Sequence, residues 1–403
     1  MSLPILTTAD WRRPLTEAAG SALDDARAIL DRVRGDDDAL AAESERLDGF
    51  APEVVELRPF EDYDLAPETA DAIRLAHKRV RRFAEMQRAS YQDTEFEDET
   101  GRYGQRIVPV ASVGAYVPGG RHPLVSSALM TLTPAEVAGV PVRVAVSPSD
   151  HPAVLAACSL AGATSFVRLG GAQAVGALAY GSGLHPAVDL IVGPGNAWVN
   201  AAKSLVQGTV GIDTLAGPSE VLVIADADAD PEWLTWDLVA QAEHDPLAFS
   251  VLVSWDRATL DVVSAHLGDL PEAAEVIERG GIQLVLAQDP TDAVAFSDRM
   301  APEHLHVHSD AIAPTDLTSY GSLFVGPESA VALGDYISGP NHTLPTGGYA
   351  RVTGGLSVGA FLRVLTWQEV TPDGLRRIGP AAAHLADVEG LTAHARSVRV
   401  RLG

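Results

Sequence analysis

The sequence predicts an α/β protein built on parallel sheets that helices cover on both faces. Beyond residue 142, short apolar runs rich in β-branched residues alternate with segments of helical period. This alternation is typical of strands that lie side by side in one sheet, each connected to the next by a helix. The composition agrees, because 46% of the 403 residues are apolar and 21% are charged. That is the balance of a globular chain with a large core, not of a disordered or collagen-like one.

The predicted elements follow in order along the chain. Two amphipathic helices come first, over 21–34 and 67–90, because apolar residues recur there every three or four positions. Eight strands are predicted over 142–146, 165–169, 189–192, 220–224, 250–254, 283–286, 304–308 and 323–325. Six helices are predicted between them, over 152–160, 172–180, 196–206, 233–243, 258–267 and 290–300. A Gly- and Pro-rich segment, 208–218, separates the unit 142–206 from the unit 220–325.

The C-terminal region differs from both units. After Gly347 no further strand is predicted, and 357–403 is expected to form short helices. These helices have too little apolar surface for a core of their own. We therefore expect the region to pack on another surface, such as a second subunit.

Charge and cysteine content narrow the class of protein. The net charge of −25 argues against binding to a nucleic-acid backbone, and no apolar run is long enough to span a membrane. The single cysteine, Cys158, excludes an internal disulfide and a thiolate zinc site. The N-terminus has no pattern of a secretory signal. We expect a cytoplasmic protein without nucleic-acid or membrane partners.

Two histidine-containing segments are candidates for chemistry. Gln241 and His244 lie three residues apart at a predicted helix end, so they can offer an oxygen and a nitrogen to one metal ion. Surface polar groups at a capped helix end are the simpler interpretation of that pair. Glu303 and His304, adjacent at a predicted strand start, can both transfer protons near neutral pH.

The same strand places His304, His306 and His308 on one face, because side chains alternate along a strand. A three-histidine metal site is one interpretation. The interpretation we favour is a solvated strand face on which His304 is set apart by its neighbour Glu303.

Two loops complete the candidates. Segment 193–196 (GPGN) follows a predicted strand and opens a helix, a context that suits an anion or a nucleotide, although a plain strand–helix turn also explains it. Segment 334–346 combines Asp335 and His342 with glycines and prolines, so a functional loop and a structural turn both remain open. The motifs of P-loop NTPases, α/β-hydrolases and zincins are missing.

The chain resembles the histidinol dehydrogenase family. Eight segments carry the resemblance, in the family's order and spacing: GAYVPGG (114–120), GGAQAVGALAYG (170–181), VGPGNAWV (192–199), AGPSEVLVIAD (216–226), QAEH (241–244), RMAPEHL (299–305), GDYISGPNHTLPTGG (334–348) and EGLTAHARSV (389–398). The resemblance implies a homodimer with shared active sites and two incomplete Rossmann-like domains. It divides the chain into an N-terminal extension (1–20), a main domain (21–115 and 219–356), a second domain (116–218) and a C-terminal helical extension that reaches the partner subunit (357–403).

The resemblance also implies a reaction, oxidation of L-histidinol to L-histidine through L-histidinaldehyde with two NAD⁺. One Zn²⁺ per subunit would be held by Gln241, His244, Asp335 and His394, the last from the partner subunit. Residues implied to contact the substrate are Ser219, Gln241, His244, Glu303, His304, Asp335, His342, Glu389 and His394. Those implied to contact NAD are Tyr116, Gln173 and Asn196. Glu303 and His304 would be the acid–base pair, and an imidazole with an ordinary pKa of about 6.5 would suit the base.

Two other functions remain open at this point. The nearer one is a zinc- and NAD-dependent dehydrogenase of the same fold that acts on another small alcohol, such as a sulfonated diol. The other is a catalytically silent metal-binding or interaction protein, which would have no need of adjacent Glu303 and His304.

Overall fold

The computed structural model describes residues 3–14, 19–119, 122–215, 217–243 and 245–403. The strands in these residues are β1 (Ile5–Thr7), β2 (Glu53–Val55), β3 (Thr94–Asp98), β4 (Gly101–Pro109), β5 (Ser112–Tyr116), β6 (Val142–Ser147), β7 (Ser165–Arg168), β8 (Leu190–Val192), β9 (Gly211–Ile212), β10 (Glu220–Ala225), β11 (Phe249–Ser254), β12 (Ile282–Leu286), β13 (His304–His308), β14 (Ser322–Val325) and β15 (Leu362–Val370). The α-helices are α1 (Ala19–Val33), α2 (Asp37–Asp48), α3 (Pro67–Ala89), α4 (Val125–Ala138), α5 (Pro152–Leu160), α6 (Gly171–Tyr180), α7 (Ala197–Val206), α8 (Pro231–Ala242), α9 (Arg257–Asp269), α10 (Ala274–Glu278), α11 (Pro290–Met300), α12 (Val331–Tyr336), α13 (Pro372–Val388) and α14 (Thr392–Leu402).

The first sheet is entirely parallel and has the order β1-β12-β11-β10-β13-β14. Strands β10, β11 and β13 are buried along their whole length, because α8 and α9 pack on one face and α11 on the other. The chain proceeds from β10 to β12 in one direction and then returns to β13 and β14 on the other side of β10. Neighbours β10 and β13 therefore flank the point where the strand order reverses, which is where such sheets commonly bind ligands.

The second sheet has the order β2-β7-β6-β5-β8-β9 and reverses between β5 and β8. All of its pairs are parallel except β2 with β7. Helices α1, α6 and α7 pack on one face, and α3, α4 and α5 lie on the other. Segment 21–115, which the resemblance groups with the main domain, contributes β2 and β5 to this second sheet and packs α1 against it. Helix α1 joins this second unit, and not the main one, because its apolar face is covered by α6 and α7. The division into domains otherwise stays a prediction.

The predicted class and most predicted elements are confirmed. All eight strands and all eight helices predicted from the sequence are present, with ends that differ by at most two residues. Among the described residues, no helix combines the length and the apolarity needed to cross a membrane.

The prediction that no strand follows Gly347 is wrong. Strand β15 pairs antiparallel with β4 along its whole length, from Leu362 opposite Pro109 to Val370 opposite Gly101, and β3 completes this three-stranded sheet. Most of β15 is exposed and its sequence mixes charged, polar and apolar residues, so it lacks the continuous apolar run that identified the buried strands. The two helices that follow, α13 and α14, were predicted, and they pack chiefly on each other.

Candidate active site

The candidate site is centred on Glu303, directly before β13. Its side chain is almost completely buried. The carboxylate oxygen Oε2 accepts a hydrogen bond from the Ser219 hydroxyl at 2.6 Å and another from the Glu220 backbone N–H at 2.8 Å. Ser219 and Glu220 lie at the start of β10, the strand that neighbours β13. The parallel pairing of these strands therefore fixes the orientation of the carboxylate.

His304 lies between two carboxylates. Its Nδ1 is 3.5 Å from the Glu303 carboxylate and 3.3 Å from the Glu220 carbonyl oxygen, and its Nε2 is 3.6 Å from Asp335. Burial alone would lower the pKa of His304, but the charges of Glu303 and Asp335 outweigh it and raise the pKa to about 10. The two carboxylates therefore favour the protonated imidazole, in contrast to the ordinary pKa expected from the sequence.

Gln241 is part of the same hydrogen-bond network. It lies in the last turn of α8, is buried, and donates its amide N–H to the Ser219 hydroxyl at 2.6 Å. The interpretation of Gln241 as a surface group is therefore wrong. His244, its predicted partner, lies outside the described residues.

The loop 334–346 brings Asp335 and His342 to this network. Asp335 is in α12, and His342 donates its Nδ1–H to the Asp335 backbone oxygen at 2.7 Å. Burial lowers the pKa of His342, against the opposing effect of the Asp335 charge. Thr346, near the end of the loop, accepts a hydrogen bond from the backbone of Gly217. The loop therefore lies at the amino ends of β10 and β13, beside Glu303 and His304.

Glu389 and His394 are not brought to the site within one chain. Glu389 follows α13 and His394 is in α14, and both side chains are exposed. Helix α13 also leaves Ile378, Leu385 and Val388 largely exposed. An amphipathic helix with an uncovered apolar face is typical of a region that packs on a further surface.

The residues expected to contact NAD lie around the reversal point of the second sheet. Tyr116 ends β5, and its buried hydroxyl accepts a hydrogen bond from the Gly171 N–H at 3.2 Å. Burial raises the pKa of Tyr116 to about 12, so the phenol stays neutral. Asn196 caps α7, because its Oδ1 accepts the Val199 N–H at 3.1 Å. Both residues are therefore at the carboxyl ends of the two strands between which ligands bind in this class of sheet.

Gln173 is held by an acidic residue that the sequence did not single out. Asp48, at the end of α2, accepts hydrogen bonds from the Gln173 amide and from the Gly170 N–H, both at 3.0 Å. Burial raises the pKa of Asp48, although these two donors partly oppose the effect. More than one hundred residues separate Asp48 from its partners, so no local pattern in the sequence could have revealed the contact.

The turn 193–196 is braced by a buried ion pair that sequence reasoning also missed. Lys203 pairs with Asp213, and both side chains are almost fully buried. Lys203 also donates to the Gly193 carbonyl oxygen at 2.9 Å, while Asp213 accepts the Gly193 N–H at 2.7 Å. Gly193 has φ of 113°, and a Cβ there would lie 2.2 Å from the Tyr116 carbonyl oxygen. The turn therefore requires glycine and closes directly against the end of β5.

The favoured interpretation of His306 and His308 as a solvated face is wrong. Both side chains are buried between β13 and α8, where they meet Asp237 of α8. Burial would raise the pKa of Asp237, but the two imidazoles beside it hold that pKa below its usual range. The alternation of the strand identified which residues share a face, but it could not show that a helix covers that face.

The fold and the site define a two-unit α/β enzyme with a buried carboxylate–imidazole centre capable of proton transfer. Comparison with known proteins specifies the family. The sequence model described as histidinol dehydrogenase matches residues 12–402. The chain therefore belongs to the histidinol dehydrogenase family, and it is a dehydrogenase.

Individual relatives agree with this assignment. The chain is 45% identical to a histidinol dehydrogenase of Thermus thermophilus over 93% of each chain. It is 41% identical to a sulfopropanediol 3-dehydrogenase of Ruegeria pomeroyi, over 93% of this chain and 91% of that one. A crystal structure of histidinol dehydrogenase from Elizabethkingia anophelis superposes with a TM-score of 0.88 at 33% identity and covers 97% of this chain and 94% of that chain.

Proposed function

We propose that the protein oxidises L-histidinol to L-histidine through L-histidinaldehyde, as an NAD-dependent enzyme of histidine biosynthesis with one Zn²⁺ per site. The observation that carries the proposal is the continuous network from Gln241 through Ser219 and Glu303 to His304 and Asp335. Conversion of a primary alcohol to an acid removes two hydrides, so two NAD⁺ are consumed for each substrate.

The donor set fits zinc. Gln241 uses its amide N–H on Ser219, which leaves the carbonyl oxygen for a cation. Asp335 would add a carboxylate oxygen, and His244 and the partner subunit's His394 would add nitrogens, giving the oxygen–nitrogen set of an open zinc site. Bound there, the ion would position the hydroxyl and amine of the substrate and offset the carboxylate charge that raises the pKa of His304.

Glu303 and His304 divide the proton transfers. In its neutral form, His304 takes the hydroxyl proton as the first hydride leaves, and it acts again when the hydrated aldehyde loses its second hydride. The Oε2 atom of Glu303 already accepts two hydrogen bonds. Its other oxygen, Oε1, is therefore the base that takes a proton from the water that hydrates the aldehyde.

The site is completed by a second subunit in this proposal. Glu389 and the zinc ligand His394 are exposed in one chain and lie on helices that pack mainly on each other. The exposed apolar residues of α13 supply a surface for docking on a partner. Tyr116, Gln173 and Asn196 would contact NAD at the second sheet. The single cysteine supports action in the cytoplasm.

A second candidate is oxidation of a sulfonated diol. It is favoured by the 41% identity to the sulfopropanediol 3-dehydrogenase, which is close to the identity with the histidinol dehydrogenases. The compound that supports NADH release, when each is supplied alone, distinguishes the two candidates, and two equivalents of NADH per histidinol would show that the alcohol is carried through to the acid. Activity with sulfopropanediol and none with histidinol would overturn the proposed substrate.

A further inference from the structure

The structure contains a second group of side chains suited to a metal ion, separate from the proposed zinc ligands. Asp237 of α8 and His306 and His308 of β13 point three potential ligand atoms at one another in the interior. We propose that these three residues bind a divalent transition-metal ion, with Zn²⁺ as the simplest occupant.

The distances match a coordination sphere. Asp237 Oδ2 is 2.9 Å from His306 Nδ1 and 3.5 Å from His308 Nε2, and the two nitrogens are 3.1 Å apart. In a tetrahedral site with bonds of about 2.0 to 2.1 Å, neighbouring ligand atoms lie roughly 3.3 Å apart. In an octahedral site, three ligands on one face lie about 3.0 Å apart. One carboxylate and two imidazoles suit either geometry.

The hydrogen bond between His306 and Gly326 leaves the other ring nitrogen of His306 free to bind a metal ion. Its Nε2 is 2.9 Å from the Gly326 carbonyl oxygen, and since a carbonyl only accepts, Nε2 carries the proton. The Nδ1 atom of neutral His306 then carries a lone pair, which faces Asp237. An N–H of a ligating histidine bonded to a backbone carbonyl is the usual outer support of a metal site.

Without a cation, the three converging atoms have too few protons to hydrogen-bond with one another. The carboxylate of Asp237 only accepts, so its 2.9 Å contact with His306 Nδ1 needs an added proton. The Nε2 of His308 approaches both of these acceptors, and its Nδ1 is buried with no hydrogen-bond partner in the described residues. A single metal ion satisfies all three converging lone pairs at once, with both imidazoles neutral.

A surface groove reaches Asp237, one of the three residues. It has a volume of about 320 Å³ and is lined by Glu232, Trp233, Trp236, Asp237, Pro327 and Ala330. These residues belong to α8 and to the segment after β14, beyond the carboxyl ends of β10, β13 and β14. That is the reversal point of the first sheet, the usual position of a ligand in such folds. The three protein ligands leave a coordination position for water or for a molecule in the groove.

The proposed ion would connect the two elements that carry the candidate active site. Asp237 is one helical turn before Gln241 on α8, and His306 is two residues after His304 on β13. A metal that joins Asp237 to His306 therefore fixes the helix against the strand. We assign it a positioning role, with the groove open to a further ligand.

The test counts metal ions bound to the full-length protein. Purified protein is stripped with a chelator, dialysed against Zn²⁺ and analysed by elemental analysis. We expect two Zn²⁺ per subunit in the native protein and one in Asp237→Asn. The matched control is Glu232→Gln, which removes one carboxylate from the same helix and groove, and it should retain both ions. Circular dichroism shows which variants are folded.

Asp335→Asn separates this proposal from the proposed function. It should lose the ion of the candidate active site and keep one ion, whose Co²⁺ derivative then reports the Asp237 site by its visible absorption. One ion per subunit in the native protein, lost in Asp335→Asn, would overturn the second site whatever Asp237→Asn does. Equal metal content in Asp237→Asn and Glu232→Gln would also overturn it. Two ions in the native protein without oxidation of histidinol would overturn only the proposed substrate.

Discussion

Replacement of Lys203 by Met tests whether a buried ion pair stabilises the turn 193–196. Lys203 is one of two lysines in the chain, and it lies inside the second unit with Asp213 as its partner. The substitution keeps most of the side-chain volume and removes only the charge and the donors. Asp213 would keep its hydrogen bonds from the N–H groups of Gly193 and Thr214, but its charge would be buried without a cation.

The expected loss of stability is large. Removal of one partner of a buried ion pair typically costs about 3–5 kcal/mol, because the remaining charge is not compensated. A loss of about 4 kcal/mol lowers the ratio of folded to unfolded protein by roughly a thousand. With a urea dependence of about 3 kcal/mol per molar, the midpoint of unfolding should fall by about 1 M.

Urea unfolding of three variants measures the loss of stability caused by Lys203→Met. The other lysine, Lys78, is exposed, so Lys78→Met is the matched control and should change stability by less than about 0.5 kcal/mol. The double variant Lys203→Met with Asp213→Asn removes the uncompensated charge and should regain at least about 2 kcal/mol. A loss below about 1 kcal/mol in Lys203→Met, or no recovery in the double variant, would refute the reasoning.

Two further predictions concern the candidate active site. Glu303→Gln should slow turnover of supplied histidinaldehyde by about 10²–10⁴-fold, the usual contribution of a general base. It should slow the oxidation of histidinol to the aldehyde much less. Equal losses on both substrates would contradict the proposed division of roles. His304→Asn and His394→Asn should each be inactive, but after the two are unfolded and refolded together, about one quarter of the native activity should return. The reason is that half of the dimers are mixed and one of the two sites in each is intact; mixed dimers without activity would mean that His394 acts in its own chain.

The sequence predicted buried regular structure well and exposed or distant structure poorly. Strands β10 and β11 were predicted because helices cover both faces, so their sequences are dominated by β-branched and apolar residues. Strand β15 was missed because most of its residues face solvent and its composition is mixed. Apolar periodicity in a sequence reflects the burial of a strand or helix face. Strand β15 is mostly exposed and is held by its backbone pairing with β4, which leaves no such pattern.

The candidate site follows the same rule. Glu303 and His304 were found because they are adjacent, and the loop containing Asp335 because its composition is unusual. Asp48 was missed because its partners are distant in sequence and one of them is a backbone N–H. For His306, the strand period gave the correct face but not its environment, because the covering residue, Asp237, comes from a helix 69 residues earlier.

The loop 334–346 has a demanding sequence because it contacts both units of the protein. The expected nucleotide position is at the carboxyl ends of β5 and β8, whereas Glu303 is at the amino end of β13, in the other sheet. Transfer of a hydride requires donor and acceptor carbons within about 3.5 Å. Some segment of the chain must therefore fix the position of one sheet relative to the other. The loop does this, since Asn341 donates to the Met130 carbonyl oxygen of α4 at 2.6 Å, while Asp335 reaches His304. The loop therefore contacts both units, through Asn341 on α4 and through Asp335 on His304.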